Sequence, residues 1–129
     1  MYQVIIVDDE PRILEGIIHL FPWNNFGFEV VASFTNGKEA LEYINAHPQV
    51  DIVMTDIQMP VMNGYDAARA IRAGSHTRGK VIPIVAMTAN AFAEDVKEAM
   101  DAGMDAHVAK PIDMKNLEAV ITELVKKKY

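Results

Sequence analysis

The sequence lacks cysteine, an excess of basic charge and long hydrophobic runs. No cysteine occurs among the 129 residues, which excludes disulfides, cysteine-ligated zinc and thiol nucleophiles. Basic residues number 12 against 18 acidic ones, for a formal net charge of -6, so we expect no direct nucleic-acid binding and no membrane association. Apolar runs such as 4–7 are too short to cross a bilayer, and residues 1–3 lack a basic signal-peptide start. We therefore expect one cytoplasmic domain spanning residues 1–129.

Five short apolar segments alternate with five segments of helical periodicity. Residues 4–7 form a continuous β-branched run, typical of a strand that is buried on both faces of a parallel sheet. Asn36 and Gly37 resemble a hairpin turn, but apolar residues follow at helical spacing, so we expect Asn36 to cap a helix. The predicted strands are 4–7, 28–34, 51–55, 82–87 and 106–109, and the predicted helices lie within 11–21, 36–44, 64–72, 90–101 and 113–125.

This alternation over short connections predicts an α/β fold with a five-stranded, doubly wound parallel sheet. The second predicted strand carries no polar residue comparable to those that follow the other four. We therefore expect it outside the first strand, in the flavodoxin-like order 2-1-3-4-5.

Acidic, hydroxyl and basic side chains follow four of the predicted strands: Asp8 and Asp9, Asp56, Thr88, and Lys110. Each alone is more simply interpreted as a cap, a turn residue or a solvated side chain. Together they predict one site, because the carboxyl ends of parallel strands share an edge. Carboxylates about 4 Å apart repel by about 4 kcal/mol per pair at an effective dielectric of 20, so the acids need a cation. Oxygen ligands favour Mg²⁺, and the whole set suits a phosphoryl group transferring onto a carboxylate.

Four groups of motifs, in this order, cover essentially the whole chain. They are Val-Asp-Asp-Glu at 7–10, Asp56 with Met59-Pro60 and Asn63-Gly64 after it, Ala86-Met87-Thr88-Ala89, and Lys110-Pro111. Together they resemble the receiver domain of two-component response regulators, a CheY-like (βα)5 domain, with features similar to hybrid histidine kinase receivers. The resemblance implies a phosphoacceptor in a phosphorelay and not an enzyme beyond its own phosphorylation and dephosphorylation.

The resemblance also implies residue roles. Asp56 resembles the phosphoacceptor that takes a phosphoryl group from a histidine kinase or a histidine phosphotransfer protein. Asp9 resembles the direct Mg²⁺ ligand, Asp8 a ligand acting mainly through water, and Gln58 the residue whose backbone carbonyl completes the metal site. A receiver homodimer is a further partner that the resemblance allows.

The same resemblance assigns a switch. Thr88 resembles the switch hydroxyl and Lys110 the ammonium that pairs with the phosphoryl group, held by a cis bond to Pro111. The family often carries an aromatic residue three positions before the lysine, where this chain has His107. We hypothesise that His107 moves with Thr88 and adds mild pH sensitivity to switching.

Four alternatives to this assignment can be compared with the sequence. A magnesium-dependent phosphatase of the haloacid dehalogenase type expects Asp-x-Asp, which residues 8–10 do not provide. A flavodoxin needs a Ser/Thr-rich loop where this chain is acidic. Residues 74–80 match the spacing of a nucleotide-binding loop, but Val81 replaces the Ser or Thr that must follow, and a predicted helix precedes the loop instead of a strand. A binding-only pseudo-receiver stays open. So does the parent architecture. Trp23 and residues 27–31 resemble the receivers of AraC-type transcription regulators, whereas residues 86–95 and 103–113 resemble hybrid-kinase receivers.

Overall fold

The computed structural model describes residues 1–57, 59, 61–74, 79, 81–88, 93–110 and 112–128, without the side chains of 93–95. Strands and helices alternate along this part of the chain. The strands are β1 (Tyr2–Val7), β2 (Phe28–Phe34), β3 (Ile52–Asp56), β4 (Ile84–Thr88) and β5 (Ala106–Ala109). The helices are α1 (Pro11–Leu20), α2 (Gly37–Ala46), α3 (Gly64–Ala73), α4 (Ala93–Asp101) and α5 (Met114–Lys128), with a 3₁₀ helix at Trp23–Phe26. No helix in these ranges is long and apolar enough to cross a membrane.

The five strands form one parallel sheet in the order β2-β1-β3-β4-β5. This order confirms the prediction from the sequence. Strands β3 and β4 are buried along their whole length, as expected for central strands with helices on both faces. The carboxyl ends of β1, β3, β4 and β5 therefore meet at a single edge of the sheet.

Each face of the sheet carries its own apolar core. The cluster beneath α1 and α5 contains Ile6 and Met54 of the sheet together with Leu117. The cluster beneath α2, α3 and α4 contains Ile5 and Val53. These five side chains are at most 1% exposed, and burying a side chain of this size contributes roughly 1.5–3 kcal/mol. Consecutive strand residues thus supply both cores, which explains the absence of polar alternation in the sequence.

Side-chain caps and one glycine set the helix boundaries. Asn36 Oδ1 accepts the Glu39 N–H at 2.9 Å, so α2 begins where a hairpin would otherwise turn. Asn63 caps α3 in the same way, accepting the Asp66 N–H at 2.8 Å. Gly103 follows α4 with a φ of +101°, a conformation that suits a residue without a Cβ atom. The predicted cap at Asn36 is confirmed.

Two strands begin and end later than the sequence suggests. Strand β4 begins at Ile84 instead of residue 82, because Pro83 has no N–H for the sheet ladder. Strands β3 and β4 end at Asp56 and Thr88, so these residues are the last of their strands. Helix α4 is described from Ala93 onward, and the predicted start at 90–92 lies outside the described residues.

An ionic network fixes the amino ends of β4 and β5, at the opposite edge of the sheet. The Arg72 guanidinium donates to the carbonyls of Gly103 and Ile82, both at 2.7 Å, and pairs with Asp105 at 2.9 Å. Asp105 Oδ2 also accepts the Ile84 N–H at 2.9 Å. These bonds tie the end of α3 to the starts of both strands.

Candidate functional site

Three carboxylates meet at the carboxyl edge of the sheet. Asp8 and Asp9 directly follow β1, and Asp56 ends the neighbouring strand β3. One oxygen from each of the three lies within 4.8 Å of the others. Asp8 is fully buried, Asp56 is 8% exposed and Asp9 is half-buried. The fold therefore gathers acids that are distant in sequence into one cluster.

Local backbone contacts fix the carboxylate of Asp8. The backbone N–H of Asp8 donates to the Phe34 carbonyl of β2 at 3.0 Å, and Asp8 Oδ1 accepts the Glu10 N–H at 2.9 Å. Pro11 starts α1 immediately afterwards, where a residue without an N–H fits the first helical turn. The chain thus turns tightly at the end of β1 and leaves Oδ2 for a different partner.

Lys110 brings a positive charge to the cluster from the end of β5. Its backbone N–H donates to the Thr88 carbonyl at 2.8 Å, which holds the residue against β4. Its Nζ lies 2.7 Å from Asp8 Oδ2 and 3.3 Å from Asp56 Oδ2. The Lys110 side chain is only 14% exposed, so solvent screens these ion pairs weakly. One ammonium group therefore bridges two of the three acids.

Burial and repulsion raise the pKa of Asp56. Removal from water is the largest cause and the negative charge of Asp8 the second. They raise the pKa from 3.8 to about 6, although Lys110 and the Ile57 N–H act in the opposite direction. Burial favours the neutral amine of Lys110, but the two carboxylates outweigh it and raise the pKa of that group. Asp56 is thus mainly ionised at neutral pH, at an energetic disadvantage that an additional cation would relieve.

The donor set suits a hard divalent cation. Apart from the ion-pair contact with Lys110, no described residue gives Asp8 Oδ2 a hydrogen bond, although this atom is buried. Three carboxylates against one ammonium leave the cluster with excess negative charge. The ligand atoms are all carboxylate oxygens, which Mg²⁺ prefers to sulfur or imidazole. Charge and ligand chemistry therefore both fit Mg²⁺.

Thr88 lies beside this cluster on β4. Asp56 pairs with Met87 in the register of β3 and β4, which places Thr88 one residue further along the edge. On its other side Thr88 is opposite Ala109, and its carbonyl accepts the Lys110 N–H. The residue is 6% exposed. A hydroxyl-bearing residue thus lies between the strands that carry the acid and the lysine.

The sequence also singled out His107, Gln58 and Pro111. His107 is a half-buried residue of β5, opposite Ala86 and three positions before Lys110. Gln58, expected to offer a backbone carbonyl, and Pro111, expected to form a cis bond, lie outside the described residues. Their assigned roles stay predictions.

Gly64 is a site residue whose structural role the sequence reasoning missed. Its N–H donates to the Ile57 carbonyl at 2.8 Å, and a Cβ atom at this position would overlap the Asp56 carbonyl. Only glycine lets the start of α3 approach the end of β3 so closely. The available signal was a glycine directly after the capping residue Asn63.

A parallel sheet of this order, with acids and a lysine gathered at its carboxyl edge, is the architecture of receiver domains in two-component signalling. The family "Response regulator receiver domain" matches residues 4–122. The chain belongs to this family, as the sequence motifs predicted.

Related proteins place receivers of this kind in two contexts. Transcriptional regulatory protein HptR of Staphylococcus aureus is 35% identical over 130 residues, covering 98% of this chain and 47% of that protein. Sensor histidine kinase GacS of Pseudomonas protegens is 39% identical over 120 residues, covering 92% of this chain and 13% of that protein. The chain therefore spans less than half the length of either relative.

A solved structure of a similar receiver domain contains a bound magnesium ion. The receiver domain of sensor histidine kinase PA1611 from Pseudomonas aeruginosa has a TM-score of 0.81 with this chain. The two are 27% identical, and the alignment covers 97% of this chain and 98% of that one. A magnesium ion is coordinated in the active site cleft of that domain. Receiver domains bind Mg²⁺ at an acidic pocket, and this chain has an acidic cluster.

Proposed function

We propose that Asp56 accepts a phosphoryl group from the phosphohistidine of a histidine kinase or histidine phosphotransfer protein. The observation that carries the proposal is the cluster of Asp8, Asp9 and Asp56 with Lys110 Nζ between two of its members. Burial and repulsion raise the pKa of Asp56 to about 6, so its carboxylate is more basic than that of an exposed aspartate and can act as the nucleophile. The phosphorus–nitrogen bond of the donor breaks as a phosphorus–oxygen bond to Asp56 forms.

Asp8, Asp9 and Asp56 would hold Mg²⁺, with the Gln58 carbonyl as a further ligand. When bound, the ion neutralises charge on the carboxylates and on the incoming phosphoryl oxygens. Lys110 supplies a second positive charge, and its Nζ donates a hydrogen bond to a phosphoryl oxygen once the acyl phosphate has formed. The buried Asp8 orients this ammonium through the 2.7 Å contact.

Thr88 and His107 would convert phosphorylation into a change of surface. Phosphorylation adds negative charge and acceptor oxygens, which the Thr88 hydroxyl approaches as a donor. His107 moves with Thr88, and α4, β5 and α5 repack, shifting an existing equilibrium. A full shift from 1:99 to 99:1 needs about 5.5 kcal/mol, more than one hydrogen bond supplies, so several contacts must change together.

The proposed role is not that of an enzyme acting on external substrates. The domain phosphorylates and dephosphorylates itself, and the donor's helices dock beside the site at α1. A cytoplasmic location and a receiver homodimer stay predictions. The net charge of -6 supports the expectation that this domain does not bind nucleic acid directly.

Intact-mass spectrometry after incubation with acetyl phosphate and Mg²⁺ tests the proposal. We expect the wild type to gain the mass of one phosphoryl group and Asp56→Asn to gain none. Asp101→Asn, which changes an exposed aspartate of α4, is the matched control and should behave as the wild type. Equal labelling of wild type and Asp56→Asn would refute the assignment. No labelling of the wild type would instead indicate a pseudo-receiver.

A further inference from the structure

Val61, in the loop between β3 and α3, combines two features that folding alone disfavours. Its φ is +70°, which makes it the one non-glycine residue with a positive φ in the described part of the chain. A β-branched side chain is poorly tolerated in this left-handed region. The same side chain is 81% exposed, more than any other large hydrophobic side chain described. A strained backbone thus carries an apolar group that contributes little to the core.

Backbone hydrogen bonds hold this loop at two points. At its neck, the Gly64 N–H donates to the Ile57 carbonyl at 2.8 Å. Further along, the Gly37 N–H at the start of α2 donates to the Met62 carbonyl at 3.2 Å. The neck lies against the end of β3, since a Cβ atom on Gly64 would overlap the Asp56 carbonyl. The loop that carries Val61 is therefore anchored directly beside the proposed phosphoacceptor.

We infer that Val61 is a contact residue for the protein phosphodonor. The inference rests on the proposed function, because a donor protein must bring its phosphohistidine against Asp56. Val61 lies three residues before Gly64, which lies against the Asp56 carbonyl. A donor surface over Asp56 therefore extends to this loop, and the exposed valine leaves water on docking. Local strain of this kind persists where surrounding contacts fix it, and it is concentrated at functional sites. A small donor such as acetyl phosphate makes no such contact.

The test compares a protein donor with a small donor. Val61→Asn removes the apolar group, and asparagine tolerates a positive φ better than valine does. Val81→Asn is the matched control, because Val81 is also exposed, at 50%, and precedes β4 at the opposite edge of the sheet. The small donor is acetyl phosphate with Mg²⁺. The protein donor is the autophosphorylated histidine kinase of the source organism that labels the wild type fastest.

For Val61→Asn we expect wild-type labelling by acetyl phosphate and a thermal unfolding midpoint that is not lowered. Transfer from the kinase should lose about tenfold in kcat/KM, mainly through KM, as expected when an apolar contact is removed from an interface. Val81→Asn should match the wild type with both donors.

Wild-type transfer from the kinase to Val61→Asn would overturn the inference. A parallel loss of acetyl phosphate labelling would also overturn it, because the loop would then shape the site instead of contacting the donor. The inference also fails if acetyl phosphate labels the wild type but no kinase does. Failure of the proposed function is a different result, in which neither kind of donor labels the wild type.

Discussion

Replacing Asp56 with asparagine should stabilise the protein at neutral pH when no divalent cation is present. In the folded protein, burial and the charge of Asp8 raise the pKa of Asp56 from 3.8 to about 6. Between these two pH values the folded state binds more protons than the unfolded state does. The contribution of Asp56 therefore makes the free energy of unfolding of the wild type fall as pH rises from about 4 to about 6. The asparagine variant lacks this contribution.

The size of the effect follows from the pKa shift. One pKa unit corresponds to about 1.4 kcal/mol, so a shift of about two units gives an upper limit of ~3 kcal/mol at neutral pH. The Asp56 side chain is 11% exposed, so solvent screening reduces this figure only modestly. We expect Asp56→Asn to have nearly wild-type stability near pH 4 and to exceed it by up to ~3 kcal/mol near pH 7.

Urea denaturation followed by far-UV circular dichroism, with EDTA present and at several pH values from about 4 to about 7, measures this difference. Asp101→Asn is the control, because it makes the same charge change at an exposed position. The change of the stability difference with pH should be larger for Asp56→Asn than for this control, because burial raises the pKa of Asp56. An asparagine variant that is less stable than the wild type at neutral pH would refute the reasoning. So would a difference between Asp56→Asn and the wild type that does not depend on pH.

Other predictions follow from the same geometry. Lys110→Met should lower the free energy of unfolding of the metal-free protein by about 3 kcal/mol, because it leaves buried Asp8 without its cation. In urea titrations, Mg²⁺ should recover part of this loss. Unchanged stability of the variant would contradict the ion-pair assignment. Gly64→Ala should lower the free energy of unfolding by about 1–3 kcal/mol, because the added Cβ atom would displace the Asp56 backbone. The same displacement should weaken Mg²⁺ binding measured by calorimetry. Wild-type values in both measurements would contradict this steric argument. The NMR signals of the His107 ring should shift on phosphorylation, because we propose that His107 moves with Thr88. Identical ring signals in both states would remove His107 from the switch.

The local sequence was sufficient to predict the order of strands and helices. The β-branched run at 4–7 has no polar alternation, because adjacent residues such as Ile5 and Ile6 enter opposite cores. Helical spacing after Asn36 correctly excluded a hairpin. Parallel topology then implied that side chains at the carboxyl ends of the strands meet, and the distances among the three acids and Lys110 agree with that expectation.

Other features depend on contacts that no local pattern encodes. The 3₁₀ helix at Trp23–Phe26 was not predicted, and it includes an indole N–H that donates to the Ile17 carbonyl at 3.1 Å. Lys128 Nζ at the end of α5 lies 3.4 Å from Asp105 Oδ1, on the connection between α4 and β5. The pKa of Asp56 depends on neighbours that only the complete fold brings close.

The central claim, that Asp56 is the phosphoacceptor of a Mg²⁺-dependent reaction, is tested most directly by locating the modified residue. The protein is incubated with acetyl phosphate with or without Mg²⁺ and then reduced with borohydride, which converts an aspartyl phosphate to homoserine. Peptide mass spectrometry then locates the change. We expect homoserine at position 56 alone, and only when Mg²⁺ is present. Homoserine at position 8 or 9, or equal conversion without Mg²⁺, would contradict the account.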